Sequence, residues 1–204
     1  EIYHVEPLNN KSIIFTKINP FYFEAGGQIS DEGKIKIDEK EYFVEKVVQS
    51  ENGATGLVVN INNVNIGDEV QLIVDDSFRN AVSKSHSAAH IVHSALRNIL
   101  GDHVAQAGSN VAPGRFRFDF SHTQKVSDEE LSKIFESANK VIFDDLEVNT
   151  KIMNIDKAKD EGALAFFGDK YDDDVRVVNI GTFSKELCGG THVNNSHDVG
   201  LVVL

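Results

Sequence analysis

The chain has 204 residues, 41% of them hydrophobic and 25% charged, enough for one large domain or two small ones with a real core. Its formal net charge of −12 argues against a general nucleic-acid binder, because phosphate contacts need clustered Lys and Arg. It leaves room for a protein that touches only the end of an RNA strand and draws on another domain for tight binding.

No run of about eighteen apolar residues is present, so no membrane span is expected. A single Cys excludes an intramolecular disulfide and predicts a reducing, cytosolic setting in which the thiol is available to a metal. The first residues do not form a signal peptide, since no basic start precedes an apolar run. The chain opens without Met and stops in the strand-like Gly200-Leu201-Val202-Val203-Leu204, which predicts a piece of a longer protein.

Residues 1–76 read as β-rich. The segments 12–16, 34–37, 42–44 and 70–74 are short and apolar, with Gly, Asn and Asp between them, the pattern of a small barrel or sandwich. Gly67-Asp68-Glu69 makes a turn before the last of them. The pattern then turns helical over 78–100, where Val82, Ala88, Ala89, Ile91, Val92 and Leu96 form an apolar stripe and Gly101 a stop. Arg115-Phe116-Arg117-Phe118-Asp119-Phe120 alternates as a strand with one buried face. Ser127 with Glu130 is a capping box opening a second helix that reaches about residue 145, with Ile134, Ala138, Val141 and Ile142 inward. A short helix near 156–161 and strands around 175–180 and 199–203 complete an α+β second half.

Two motifs carry the chemistry. His86-Ser87-Ala88-Ala89-His90 puts two imidazoles one helical turn apart on one face, with His93 three residues beyond. Cys188-Gly189-Gly190-Thr191-His192 adds the only thiol and a third imidazole. Together they form a tetrahedral set of the N and S donors that Zn2+ prefers. The alternative is two ordinary His pairs and a buried free Cys. A metalloprotease would carry Glu directly after the first His as general base, and Ser87 stands there instead. Four protein ligands also close the site, which suits a structural or positioning ion; water or substrate enters only if a ligand is loose or coordination expands.

These motifs and their flanks resemble the editing domain of alanyl-tRNA synthetase and the free-standing AlaX-type proteins of the second additional domain family. The resemblance runs through Phe21-Tyr22-Phe23-Glu24-Ala25-Gly26-Gly27-Gln28, similar to the Gly-Gly-Gln segment of the family's N-terminal barrel. It continues in Val104-Ala105-Gln106-Ala107-Gly108-Ser109, similar to the loop after the zinc helix, and in Arg117-Phe118-Asp119-Phe120-Ser121-His122. Residues 162–171 resemble a further loop of the family, and Phe183 to His192 is the most specific stretch.

The resemblance implies a small β-barrel domain over 1–76, followed by an α+β zinc-containing deacylase domain over 77–204. It implies hydrolysis of tRNA(Ala) whose acceptor end wrongly carries serine or glycine, in a free-standing protein or beside the remaining, ATP-dependent domains of an alanine–tRNA ligase. His86, His90, Cys188 and His192 match its zinc ligands, and Gln106 matches a Gln beside its editing pocket. Gly26, Gly27 and Gln28 match the segment closing over the site. Lys170, with Tyr171, meets RNA or belongs to a solvated loop. Two positions depart from the family, Ala89 and Glu32, each near where it often carries Thr. Thr191 and Gln106 therefore become the first polar groups to test in catalysis and serine recognition. Backbone amides at Gly189 and Gly190 either stabilise an oxyanion or merely turn the chain so that Cys188 and His192 face one ion. A non-catalytic, zinc-stabilised tRNA-binding module is the competing reading.

Overall fold

The computed structural model describes residues 1–165 and 172–204. The chain is α+β and divides into two compact units, Glu1–Ala25 with Ile29–Arg79, and Gly26–Gln28 with Asn80–Leu204. No helix among the described residues is long and apolar enough to cross a membrane.

The first unit is a six-stranded antiparallel sheet of β1 (Ile2–Leu8), β2 (Lys11–Thr16), β3 (Gly33–Ile37), β4 (Lys40–Gln49), β5 (Thr55–Val59) and β6 (Gln71–Val74), in the order β1-β2-β5-β4-β3-β6. Alternate residues such as Ile14, Ile35, Val47, Leu57 and Val59 meet in its core. The expected barrel does not close. No ladder joins β1 to β6 among the described residues, because the turn before β6 takes that place. The Ile2 N–H donates to the Asp68 carbonyl (3.0 Å), and the Gly67 N–H donates to the Ile2 carbonyl (2.9 Å). Arg79 donates to the Asp31 carboxylate through Nε (3.1 Å) and Nη2, and to the Pro20 carbonyl (2.6 Å).

Helix α1 (Asp76–Leu100) starts at an Asp75 cap, whose Oδ1 accepts from the Ser77 and Phe78 N–H groups at 3.0 Å. In the second unit it packs Ala88, Ile91, Val92, Ala95 and Leu96 against Ile134, Ala138, Val141 and Ile142 of α2 (Asp128–Phe143). The Ser127–Glu130 capping box that opens α2 is formed in full. The hairpin of β7 (Gln106–Ala112) and β8 (Arg115–Phe120) shows that 106–109, read above as loop, is strand, with a bulge between Gln106 and Gly108. An antiparallel sheet of β9 (Val148–Asn154), β10 (Asp174–Ile180) and β11 (Ser184–Leu187) runs in the order β11-β10-β9, with the short α3 (Ile155–Asp160) after β9.

The expected strand at 199–203 is absent; a 3₁₀ turn (Ser196–Val199) and extended chain stand there. The buried Asn139 of α2 replaces a neighbouring strand. Its Oδ1 accepts from the Val202 N–H, and its Nδ2 donates to the Val202 carbonyl, both at 3.0 Å. Replacing Asn139 by Ala strands both groups, and a loss of about 1–3 kcal/mol is expected in urea unfolding. An unchanged midpoint would show that Val202 finds other partners.

Candidate metal centre

Helix α1 delivers His86 and His90 one turn apart, both about 95% buried, and the turn after β11 delivers Cys188 and His192. One ligand atom from each lies within 4.8 Å of all the others. Nε2 of His86 stands 3.5 Å from Cys188 Sγ, and Nε2 of His192 stands 3.4 Å from it. The three rings pack around one point, with centroids 4.5–5.1 Å apart.

Two of the imidazoles, His86 and His192, are hydrogen-bonded from behind through Nδ1, and the third, His90, has a carboxylate in ion-pair contact there. His86 Nδ1 lies 2.6 Å from Gln28 Oε1, His90 Nδ1 lies 3.0 Å from Glu186 Oε2, and His192 Nδ1 lies 3.0 Å from Ser87 Oγ. An acceptor at Nδ1 selects the tautomer whose Nε2 lone pair faces inward, which is what a metal requires. The Gly190 N–H donates to Cys188 Sγ (3.4 Å), and Arg176 ties the turn by donating to the Cys188 and Gly190 carbonyls, both at 2.8 Å. The four side chains can therefore hold a metal ion, and the amide of Gly190 already serves the sulfur.

The predicted site residues divide into two groups. Gln28 is fully buried: Oε1 accepts from the Thr191 N–H (2.9 Å) as well as meeting His86, and Nε2 donates to Thr191 Oγ1 (3.0 Å). Thr191 Oγ1 also accepts from Ser83 Oγ (2.8 Å), so Thr191 sits beside the ligand cluster. The Gly27 carbonyl accepts from the Val111 N–H (2.7 Å), and a Cβ on Gly27 would lie 2.7 Å from the Ser109 carbonyl, which fixes glycine there. Gly26 faces open space. Gln106 lines a cavity of about 230 Å³ with His93, Arg97, Val104, Leu164 and Ala165. Lys170 and Tyr171 lie outside the described residues.

Sequence reasoning passed over Glu186, Ser87 and Arg176. Only Glu186 had left a signal: two residues before Cys188 on a strand, it shares the face of the thiol.

Without an ion the cluster holds a proton. Burial pushes His90 down, but the Glu186 carboxylate and the Cys188 thiolate outweigh it and raise its pKa to about 10. Burial pushes the Cys188 thiol up, and His90 with its neighbours reverses this to well below the ordinary thiol value. Burial takes His192 down to about 3 against its hydrogen bond to Cys188. Because His90 is raised from 6.5, its proton is present at neutral pH and must leave for Nε2 to bind metal. Metal binding is thus expected to release about one proton, and affinity to rise roughly tenfold per pH unit between about pH 7 and 9. Calorimetry in buffers of different ionisation enthalpy measures that release; none would contradict the protonated metal-free cluster.

Fold and site together define an α+β domain in which a helix and a strand-end turn bring together four side chains able to hold a metal ion. Residues 175–204 match the family described as Threonyl and Alanyl tRNA synthetase second additional domain. The chain is 46% identical over 192 residues to an alanine–tRNA ligase of Lysinibacillus sphaericus (strain C3-41), covering 93% of this chain and 21% of that protein. It is 45% identical to one of Chelativorans sp. (strain BNC1), covering 93% and 23%, and 44% identical to one of Pseudoalteromonas translucida (strain TAC 125), covering 94% and 22%. The chain thus spans between a fifth and a quarter of the length of these relatives. The resemblance read from the sequence holds: the chain is similar, over nearly all its length, to the editing-domain region of alanine–tRNA ligases.

Proposed function

We propose that the chain is a zinc-containing deacylase that hydrolyses tRNA(Ala) wrongly charged with serine or glycine, in a reducing cytoplasm, as part of an alanine–tRNA ligase or a free-standing relative. In this reading 1–76 is a β-rich accessory domain and 77–204 the deacylase. The observation that carries it is the convergence of three imidazoles on one thiol, in a chain with these relatives.

The spacing suits Zn2+. With Zn–N near 2.05 Å and Zn–S near 2.3 Å, a tetrahedron has N···S edges of about 3.6 Å. The two N···S separations are 3.4 and 3.5 Å. A thiolate with three imidazoles favours zinc over the hard cations that take carboxylate and water. When bound, the ion supplies Lewis acidity and charge for orienting an ester or a water molecule.

The chain's own groups do the rest. Thr191 accepts from Gln28 and Ser83, which leaves its O–H as a donor to a substrate oxygen beside the centre. Gln106 offers an amide at the wall of its cavity to the amino acid, and a site that must hydrogen-bond a hydroxyl favours serine over alanine by about ten-thousand-fold; this contact does not select glycine, which also lacks the hydroxyl. Gly26, Gly27, Gln28 and Lys170 are assigned to the acceptor end of the tRNA, Gln28 acting through His86 and Thr191.

The closed four-ligand set favours a second reading, a tRNA-binding module in which the ion is structural. Deacylation of serine-, glycine- and alanine-charged tRNA(Ala) separates the two. The deacylase reading expects release of serine and glycine with alanine spared. Binding without release, at tRNA concentrations that saturate the protein, would sink it and leave the module.

A further inference from the structure

The His90 brace is itself braced. Glu186 is 1% exposed, and its carboxylate is divided: Oε2 meets His90 Nδ1 at 3.0 Å, Oε1 meets His93 Nδ1 at 3.0 Å, and Ser184 Oγ donates to Oε1 at 3.2 Å. His93 is also buried, with its ring 4.9 Å from that of Phe118 on β8. Two local periodicities build the arrangement. Glu186 and Cys188 are two apart on an extended segment and share a face, while His90 and His93 are three apart on α1 and share a face. A ligand and its support thus ride on each element, and the carboxylate joins them.

We propose that His93 is a positioning residue of the metal centre: by holding Glu186 Oε1, it fixes the carboxylate plane that orients His90 toward the ion. The proposal rests on the metal-centre reading. A buried carboxylate with one oxygen poorly matched is costly, and it relieves that cost by rotating toward whatever donor remains. With His93 removed, the donor left on Oε1 among the described residues is the Ser184 hydroxyl, and rotation toward it swings Oε2 away from His90. Loss of such outer support lowers metal affinity by about 10–100-fold in comparable centres.

The test uses the whole chain, Zn2+ competition against a chromophoric chelator, and the visible spectrum of the Co2+-loaded protein. His93→Leu is expected to weaken Zn2+ binding by about 10–100-fold and to alter the Co2+ ligand-field bands. His93→Asn, whose amide N–H falls near the position of Nδ1, is expected to restore both largely. A merely structural histidine would change thermal stability while leaving affinity and spectrum alone. That result in His93→Leu overturns the proposal. If His93→Leu does not fold, His93→Phe, which keeps a ring but no donor, and Glu186→Gln decide: wild-type affinity in either overturns it, and weakened affinity in both supports it. Failure of the wild-type chain to take up Zn2+ or Co2+ would instead overturn the metal-centre reading itself.

Discussion

Replacing Cys188 by Ser or Ala is expected to weaken metal binding by about a hundredfold and to lower deacylation with it. The thiol is the point on which Nε2 of His86 and His192 converge at 3.5 and 3.4 Å, and the Gly190 amide donates to it. Four-ligand zinc sites bind with roughly 10–16 kcal/mol, so one ligand accounts for about 3 kcal/mol, or about a hundredfold in affinity. The variant also loses the anion that, with Glu186, keeps His90 protonated in the metal-free state. Its proton release on exposure to metal should therefore fall together with its affinity. The metal content of purified protein, the competition constant and the deacylation rate together check this. Metal retained with wild-type affinity would remove Cys188 from the ligand set. Metal lost with deacylation intact would leave the ion a structural role only.

The clustering of His86, His90, Cys188 and His192 was legible in the sequence because the motif spacings match the geometry of their elements. A helix brings residues four apart to one face, and the chain has no other thiol with which Cys188 could be confused. The start of α2 was legible for a similar local reason, the Ser127–Glu130 box. What lay beyond reach was everything set by distant pairing. Val202 sits in an apolar run that reads as strand, yet its backbone is satisfied by Asn139, 63 residues earlier. Gln28 reaches His86 across 58 residues, and Ser87 reaches His192 across 105. Ser87 is instructive. In the sequence it marked only the missing protease base. In the fold its oxygen meets His192 Nδ1 and accepts from the Val193 N–H at 3.2 Å, so it holds the ring and the chain beyond it.

The two glycines between Cys188 and His192 should respond in opposite ways to the same substitution. A Cβ on Gly189 meets nothing within 4 Å, and Gly189→Ala is expected to change stability by no more than about 0.5 kcal/mol. A Cβ on Gly190 would overlap the His86 ring and lie 2.7 Å from Gln28 Oε1, so Gly190→Ala strikes the ligand and its brace together. Overpacking of this kind costs about 1–3 kcal/mol when neighbours can shift. Here a shift moves His86 off the convergence point and loosens the Gln28 bonds to Thr191 as well. Metal affinity should therefore fall in Gly190→Ala by at least as much as a lost brace costs elsewhere, about 10–100-fold. Thermal melts and metal competition on the two variants, side by side, make the comparison. If both glycines are required for deacylation while both variants hold metal normally, the amides of the turn act on substrate. If only Gly190→Ala fails, and fails in metal binding first, the pair exists to let a helix histidine and a turn approach one ion. The Gly190 amide, already donated to Cys188 Sγ at 3.4 Å, points to the second outcome.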